Sequence, residues 1–157
     1  MIQERLLSVF KKNIKHELTA SQLKTSEKLI RFLGENGQQI FLLTGYAGTG
    51  KTTLIAALVK TLEALKKGYV LLAPTGRAAK VLASYTQRNA YTVHKKIYRQ
   101  KSAKDGFGSF VLDNNLHKNT LFIVDEASML TNAGSKDNVF GSGMLMDELV
   151  EYVFNNK

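Results

Sequence analysis

Residues 42–59 read LLTGYAGTGKTTLIAALV: an apolar run, a glycine-rich turn closing on Lys51, Thr52 and Thr53, then apolar residues at helical spacing. Gly45, four residues, then Gly50-Lys51-Thr52 fit the phosphate-loop pattern, and the flanking runs put that loop after a buried strand and before a helix. Glycines at 45, 48 and 50 let the backbone curl around Thr49 so that successive amide N–H groups point at phosphate oxygens. The helix beginning near Lys51 adds the positive end of its dipole. Lys51 is expected to reach the β and γ phosphates, and the Thr52 hydroxyl to ligate Mg²⁺.

Working outward, strand and helix signals alternate. Gln39 to Thr44 (QIFLLT), Tyr69 to Ala73 (YVLLA) and Leu121 to Val124 (LFIV) predict buried strands. Helices are expected over Leu18 to Leu33, capped by Thr19, and over Thr52 to Lys66, stopped by Lys67-Gly68. Two more are expected over Gly76 to Ser84 and Met144 to Phe154, and MIQERLLSVFKK predicts an amphipathic leading helix. Strands apolar on both faces and separated by crossover lengths imply an α/β fold with a parallel sheet flanked by helices. Residues 98–120 are either a hairpin with Gly106 and Gly108 in its turn or an insertion; Gly134 to Gly143 reads as a second loop.

A second chemical signal is LFIVDEASM at 121–129. Asp125, at the end of an apolar strand, is where a carboxylate holds Mg²⁺ through water, and Glu126 is placed to orient and deprotonate an attacking water. Alone, an acidic pair after a strand is an ordinary helix cap. Beside the phosphate loop it favours a hydrolysing ATPase.

Composition excludes other classes. The 157 residues, 44% hydrophobic, suffice for one ordinary core. There is no cysteine, hence no disulfide framework, thiolate metal site or thiol nucleophile. No apolar run reaches the ~20 residues of a membrane span. No membrane partner and a cytoplasmic location are therefore expected. The net charge of +9 is unevenly placed: Thr75 to Lys104 holds Arg77, Lys80, Arg88, Lys95, Lys96, Arg99, Lys101 and Lys104 and no acid. Interleaved with Tyr85, Tyr91 and Tyr98, that run suits a surface tracking a phosphate backbone; the bland alternative is a solvated basic face.

The wording GYAGTGKTT, APTGRAAKVLA at 73–83, YTVH at 91–94 and IVDEASML at 123–130 resembles the first, RecA-like motor domain of superfamily 1 DNA helicases of the RecD-like group, over roughly Leu18 to Phe154. The resemblance implies ATP and Mg²⁺ as cofactors and single-stranded DNA as partner. By the same resemblance, Gly45, Gly48, Thr49, Gly50, Lys51, Thr52 and Thr53 bind nucleotide, and Gln22 in LTASQ reads the adenine edge, its alternative being an exposed helix glutamine. Lys51 and Glu126 are then catalytic, and Thr52 and Asp125 hold the metal. Pro74, Thr75, Gly76 and Arg77 contact the DNA backbone, and His94 either joins that surface or only packs the domain.

The organisation expected is a helical extension over 1–17 and a first RecA-like ATPase domain over 18–157, incomplete at its C-terminus. Family members continue to a strand bearing a GD-x-x-Q motif, which lies between the phosphate-loop and Asp125 strands, and then to a second RecA-like domain with an arginine finger. Neither is within these residues. Either the chain is a fragment, or those two strands pair directly, or another chain fills the gap. Two other classes stay open: a non-helicase P-loop protein such as a phosphotransferase, and a nucleic-acid-binding module that holds ATP without hydrolysis.

Overall fold

A computed structural model describes residues 2–14, 16–35, 37–101, 109–132 and 140–155. The chain divides into two compact units, Met1–Lys67 and Gly68–Lys157.

The first unit holds α1 (Ile2–Lys12), α2 (Ala20–Gly34) and α3 (Lys51–Ala64). Leu6 and Phe10 lie one turn apart on α1 and are buried, and the helix packs on α2 and α3. Just beyond α1, Asn13 Nδ2 donates to the Thr61 hydroxyl at 3.2 Å, and that buried hydroxyl donates to the Ala57 carbonyl at 2.8 Å. Thr19 caps α2 as expected, in a full capping box with Gln22. Helix α3 buries Leu54, Ile55, Leu58 and Leu62. It ends slightly earlier than Lys67-Gly68: Lys66 takes the left-handed turn (φ 54°), and the Lys67 N–H reaches back to the Leu62 carbonyl at 2.9 Å.

One sequence expectation fails here. Gln39–Thr44 forms no strand, and Ile40 and Leu42 are 69% and 77% exposed. An extended apolar segment becomes a strand only when a neighbour takes its N–H and C=O groups, and no described ladder includes these residues. Within the unit, the Phe41 ring still packs against Phe32, centroids 5.5 Å apart.

The second unit is built on a parallel sheet. Its elements run β1 (Gly68–Ala73), α4 (Gly76–Thr86), β2 (Ala90–Thr92), α5 (Val93–Ile97), β3 (Tyr98–Gln100), β4 (Phe110–Leu112), β5 (Thr120–Val124) and α6 (Leu145–Phe154). Strand order is β2-β1-β5, parallel throughout, with Leu71 opposite Ala90 on one side and Ile123 on the other. Val70 and Leu72 face a cluster with Val93, Ile97, Leu145 and Leu149 from α5 and α6. By the alternation of a strand, Leu71 and Ala73 turn to the opposite face and are buried too, and α4 packs on β1 and β2. Central β1 is thus covered on both faces, which is why it reads as an unbroken apolar run.

Of the stretch from Tyr98 to Thr120, the described residues Tyr98–Gln100 and Phe110–Leu112 pair antiparallel, Tyr98 opposite Leu112, as the hairpin alternative requires. Gly106, Gly108 and Gly134 lie outside the described residues. The hairpin base is tied to α6, because the buried Tyr98 hydroxyl donates to the Glu148 carboxylate, which also accepts the Ser142 N–H at 2.9 Å. Burial, then the hydrogen bond to and charge of Glu148, hold the Tyr98 phenol well above its ordinary range. Tyr98→Phe is expected to lower stability by about 1.5 kcal/mol, since it removes a bond to a charged acceptor and leaves packing intact. Urea unfolding checks this; an unchanged midpoint would mean the bond contributes nothing.

Candidate functional site

The phosphate loop belongs to the first unit. Its turn depends on left-handed backbone at Gly48 (φ 75°) and Gly50 (φ 86°). At two positions a side chain would also displace a neighbour: a Cβ on Gly45 would lie 2.9 Å from Thr49 Oγ1, and one on Gly50 2.8 Å from Gln22 Nε2. Lys51 Nζ donates to the carbonyls of Gly45 and Tyr46, both at 2.7 Å, so the ammonium sits against the loop it closes. The Thr49 hydroxyl donates to the Tyr46 carbonyl at 2.8 Å. Gly50 caps α3 without a side-chain bond, so no side chain competes there with an anion for the first-turn N–H groups, and Thr52 and Thr53 lie in that turn. A glycine cradle, an ammonium and a helix start fit a polyphosphate.

Gln22 makes two contacts that the sequence reading did not assign to it. Its Oε1 accepts the Thr19 N–H at 3.0 Å and its Nε2 donates to the Thr49 carbonyl at 3.0 Å, so one amide fastens the start of α2 to the phosphate loop. The Thr19-x-x-Gln22 spacing is a capping-box signature and was the available signal for half of this. The contact to Thr49 spans 27 residues and had none. A cleft beside the loop is lined by Ser21, Gln22, Thr25, Tyr46, Thr49 and Lys51.

In the second unit the candidate residues collect at one edge. The three strands are parallel, so their C-terminal ends point the same way: Pro74–Arg77 follow β1, His94 follows β2, and Asp125 and Glu126 follow β5. That edge is where open parallel sheets bind ligands, because loops and helix starts converge there. The Thr75 hydroxyl accepts the Ala78 N–H at 3.2 Å and so caps α4. The Asp125 N–H donates to the Leu72 carbonyl at 3.0 Å, extending the ladder one residue past β5. Its Oδ1 accepts the Glu126 N–H, also at 3.0 Å, and Glu126 holds a left-handed conformation (φ 55°, ψ 34°) with its side chain exposed.

His94 packs against aromatic neighbours: its ring lies 5.8 Å from Tyr98 and 5.1 Å from Phe140, which stacks on Phe110 at 4.4 Å. Burial lowers its pKa below 6.5. The folded state therefore prefers neutral His94, whose contribution is complete above about pH 6.5 and is lost as pH falls through the depressed folded value. His94→Phe, which keeps a ring in the cluster, is expected to flatten the acid side of the stability profile. Denaturant midpoints at pH 5.5 and 7.5 test this; equal pH sensitivity of the two proteins would sink it.

Comparison with known proteins bears on these sites. A family model described as AAA domain matches residues 17–138. The chain is 30% identical over 164 residues to an uncharacterized protein of Acanthamoeba polyphaga mimivirus, covering 90% of this chain and 30% of that protein. It is 37% identical over 100 residues to the ATP-dependent RecD2 DNA helicase of Deinococcus radiodurans, covering 62% of this chain and 13% of the helicase. The chain thus spans less than a third of the length of these relatives.

Proposed function

The chain belongs to the AAA domain family, and from that premise we propose that it is the first motor domain of an ATP-dependent DNA helicase of the RecD-like group. The partial likeness to the RecD2 DNA helicase supports the helicase class. The sheet edge carries the rest: DNA-contact residues Pro74–Arg77 and carboxylates Asp125 and Glu126 leave neighbouring parallel strands at the same end. An element that binds DNA and one that works on nucleotide are then adjacent strands of one sheet, the arrangement a motor needs to couple them.

In this reading Lys51 and the glycine loop hold the β and γ phosphates of ATP, and Gln22 recognises the adenine edge with the amide that rests on Thr49. The Thr52 hydroxyl and Asp125 carboxylate are hard oxygen donors of the kind Mg²⁺ takes. When bound, the metal supplies charge neutralisation for phosphoryl transfer. Glu126 accepts a proton from the attacking water, and the carbonyl contacts of Lys51 keep its ammonium in place before nucleotide arrives. Pro74, Thr75, Gly76 and Arg77 contact single-stranded DNA, and His94 supports that surface from the aromatic cluster. A second RecA-like domain supplies an arginine worth about 10³- to 10⁵-fold in rate. Residues 18–157 alone therefore turn ATP over slowly and do not unwind DNA.

Stimulation of ATPase activity by single-stranded DNA in the full-length protein is the test. Hydrolysis indifferent to DNA would favour a P-loop enzyme of another kind, such as a phosphotransferase.

A further inference from the structure

Helix α4 turns one face to the sheet and another to solvent. Ala79, Leu82 and Thr86 are buried, and α4 packs on β1 and β2. On the opposite side Arg77, Val81 and Tyr85, spaced by four residues, form one stripe, and Lys80 adjoins it. All four are exposed, Tyr85 to 61%. Beyond the helix end, Arg88 lies exposed with its guanidinium donating to the Gln87 carbonyl at 2.7 Å. No acid occurs from Thr75 to Lys104, so no carboxylate on this helix repels an anion. The stripe spans about 12 Å along the axis at ~1.5 Å per residue.

The three tyrosines of the basic run are not equivalent. Tyr98 is buried. Tyr91 is 38% exposed, and Lys96 Nζ sits 5.9 Å from its ring centroid. Tyr85 presents the most accessible ring of the three, on a helix whose packed inner face fixes the backbone that carries it.

We propose that the outward face of α4 is a second nucleic-acid contact, taking a short single-stranded stretch with Arg77 and Lys80 on phosphates and Tyr85 beneath a base. It continues along α4 from the loop contact, sharing Arg77 with it and adding Lys80 and Tyr85, and it rests on the reading that the protein binds DNA. A ring between cations suits this ligand because stacking and charge neutralisation act on neighbouring parts of each nucleotide. An acidic polypeptide meets the charges but leaves the ring without a planar partner.

The experiment is fluorescence anisotropy of the full chain with a labelled oligothymidylate over a salt series. Tyr85→Ala is expected to weaken binding about ten-fold while Tyr85→Phe retains it. Lys80→Gln is expected to reduce the slope of log K against log salt by about 0.7. Circular dichroism verifies that each variant is folded. If Arg77→Ala weakens binding while Tyr85→Ala and Lys80→Gln do not, the α4 face is excluded and the DNA reading survives. If the oligonucleotide does not bind at all, both fall. If oligonucleotide binding ignores Tyr85 while a glutamate-rich peptide binds in a Tyr85-dependent manner, the face is a protein dock and the proposal is overturned.

Discussion

Lys51→Ala is expected to reduce ATP turnover in the full-length protein by about 10²- to 10³-fold, the usual loss when one fixed charge is removed from a developing anion. Nucleotide affinity should fall with it. The ammonium now lies 2.7 Å from the carbonyls of Gly45 and Tyr46. Both of those residues are exposed, so water can take over the two acceptors once the lysine is gone. Stability should therefore change little while function collapses. Two measurements decide it together: titration with a fluorescent ATP analogue and the thermal midpoint. An unaltered midpoint with unaltered nucleotide binding would remove Lys51 from the site. A large drop in midpoint would mean that it acts mainly as a structural brace.

Glu126→Gln should lower hydrolysis by about 10²- to 10⁴-fold, as expected for loss of a general base, while nucleotide affinity is kept. Glutamine preserves size and one acceptor oxygen but cannot take the proton. The backbone adds a second, opposite prediction at the same position. Glu126 sits at φ 55°, a region that costs a residue with a Cβ about 1–2 kcal/mol. Glu126→Gly should relieve that strain and, after the greater freedom of glycine in the unfolded chain, raise stability by about 0.5–1 kcal/mol. A variant more stable and less active is what a strained functional residue predicts. Single-turnover hydrolysis and urea unfolding on the two variants provide the check. Undiminished hydrolysis in Glu126→Gln, or a loss of stability in Glu126→Gly, would contradict this account.

How much of the fold could be read beforehand varies with how local its causes are. Helices α2, α3, α4 and α6 each bury a face at 3.6-residue spacing, and Thr19 announces the start of α2, so all four follow from local pattern; the Thr75 cap of α4 emerged with the structure. Strands β1 and β5 follow from their unbroken apolar runs. β2 and α5 did not, because three and five residues are too few for either period to register; they exist because Ala90–Thr92 pair with β1 and because Val93 and Ile97 enter the core beside Val70 and Leu72. The failure at Gln39–Thr44 has the same root with the opposite sign. Its apolar pattern is clear, but the ladder that makes a strand must come from another segment.

The candidate sites divide along the same line. The identity of the phosphate loop was legible because its chemistry is local: glycines at fixed offsets, one lysine and one threonine at the start of a helix. Tertiary structure alone decided that Gln22 fastens α2 to that loop through Thr49, and that His94 belongs to an aromatic cluster with Tyr98 and Phe140. It also decided that Tyr85 faces water while Tyr98 does not. What the sequence determined by itself was which residues are candidates for the chemistry. Which of their neighbours hold them, and which rings stay free, depended on contacts between segments far apart in the chain, which local composition cannot specify.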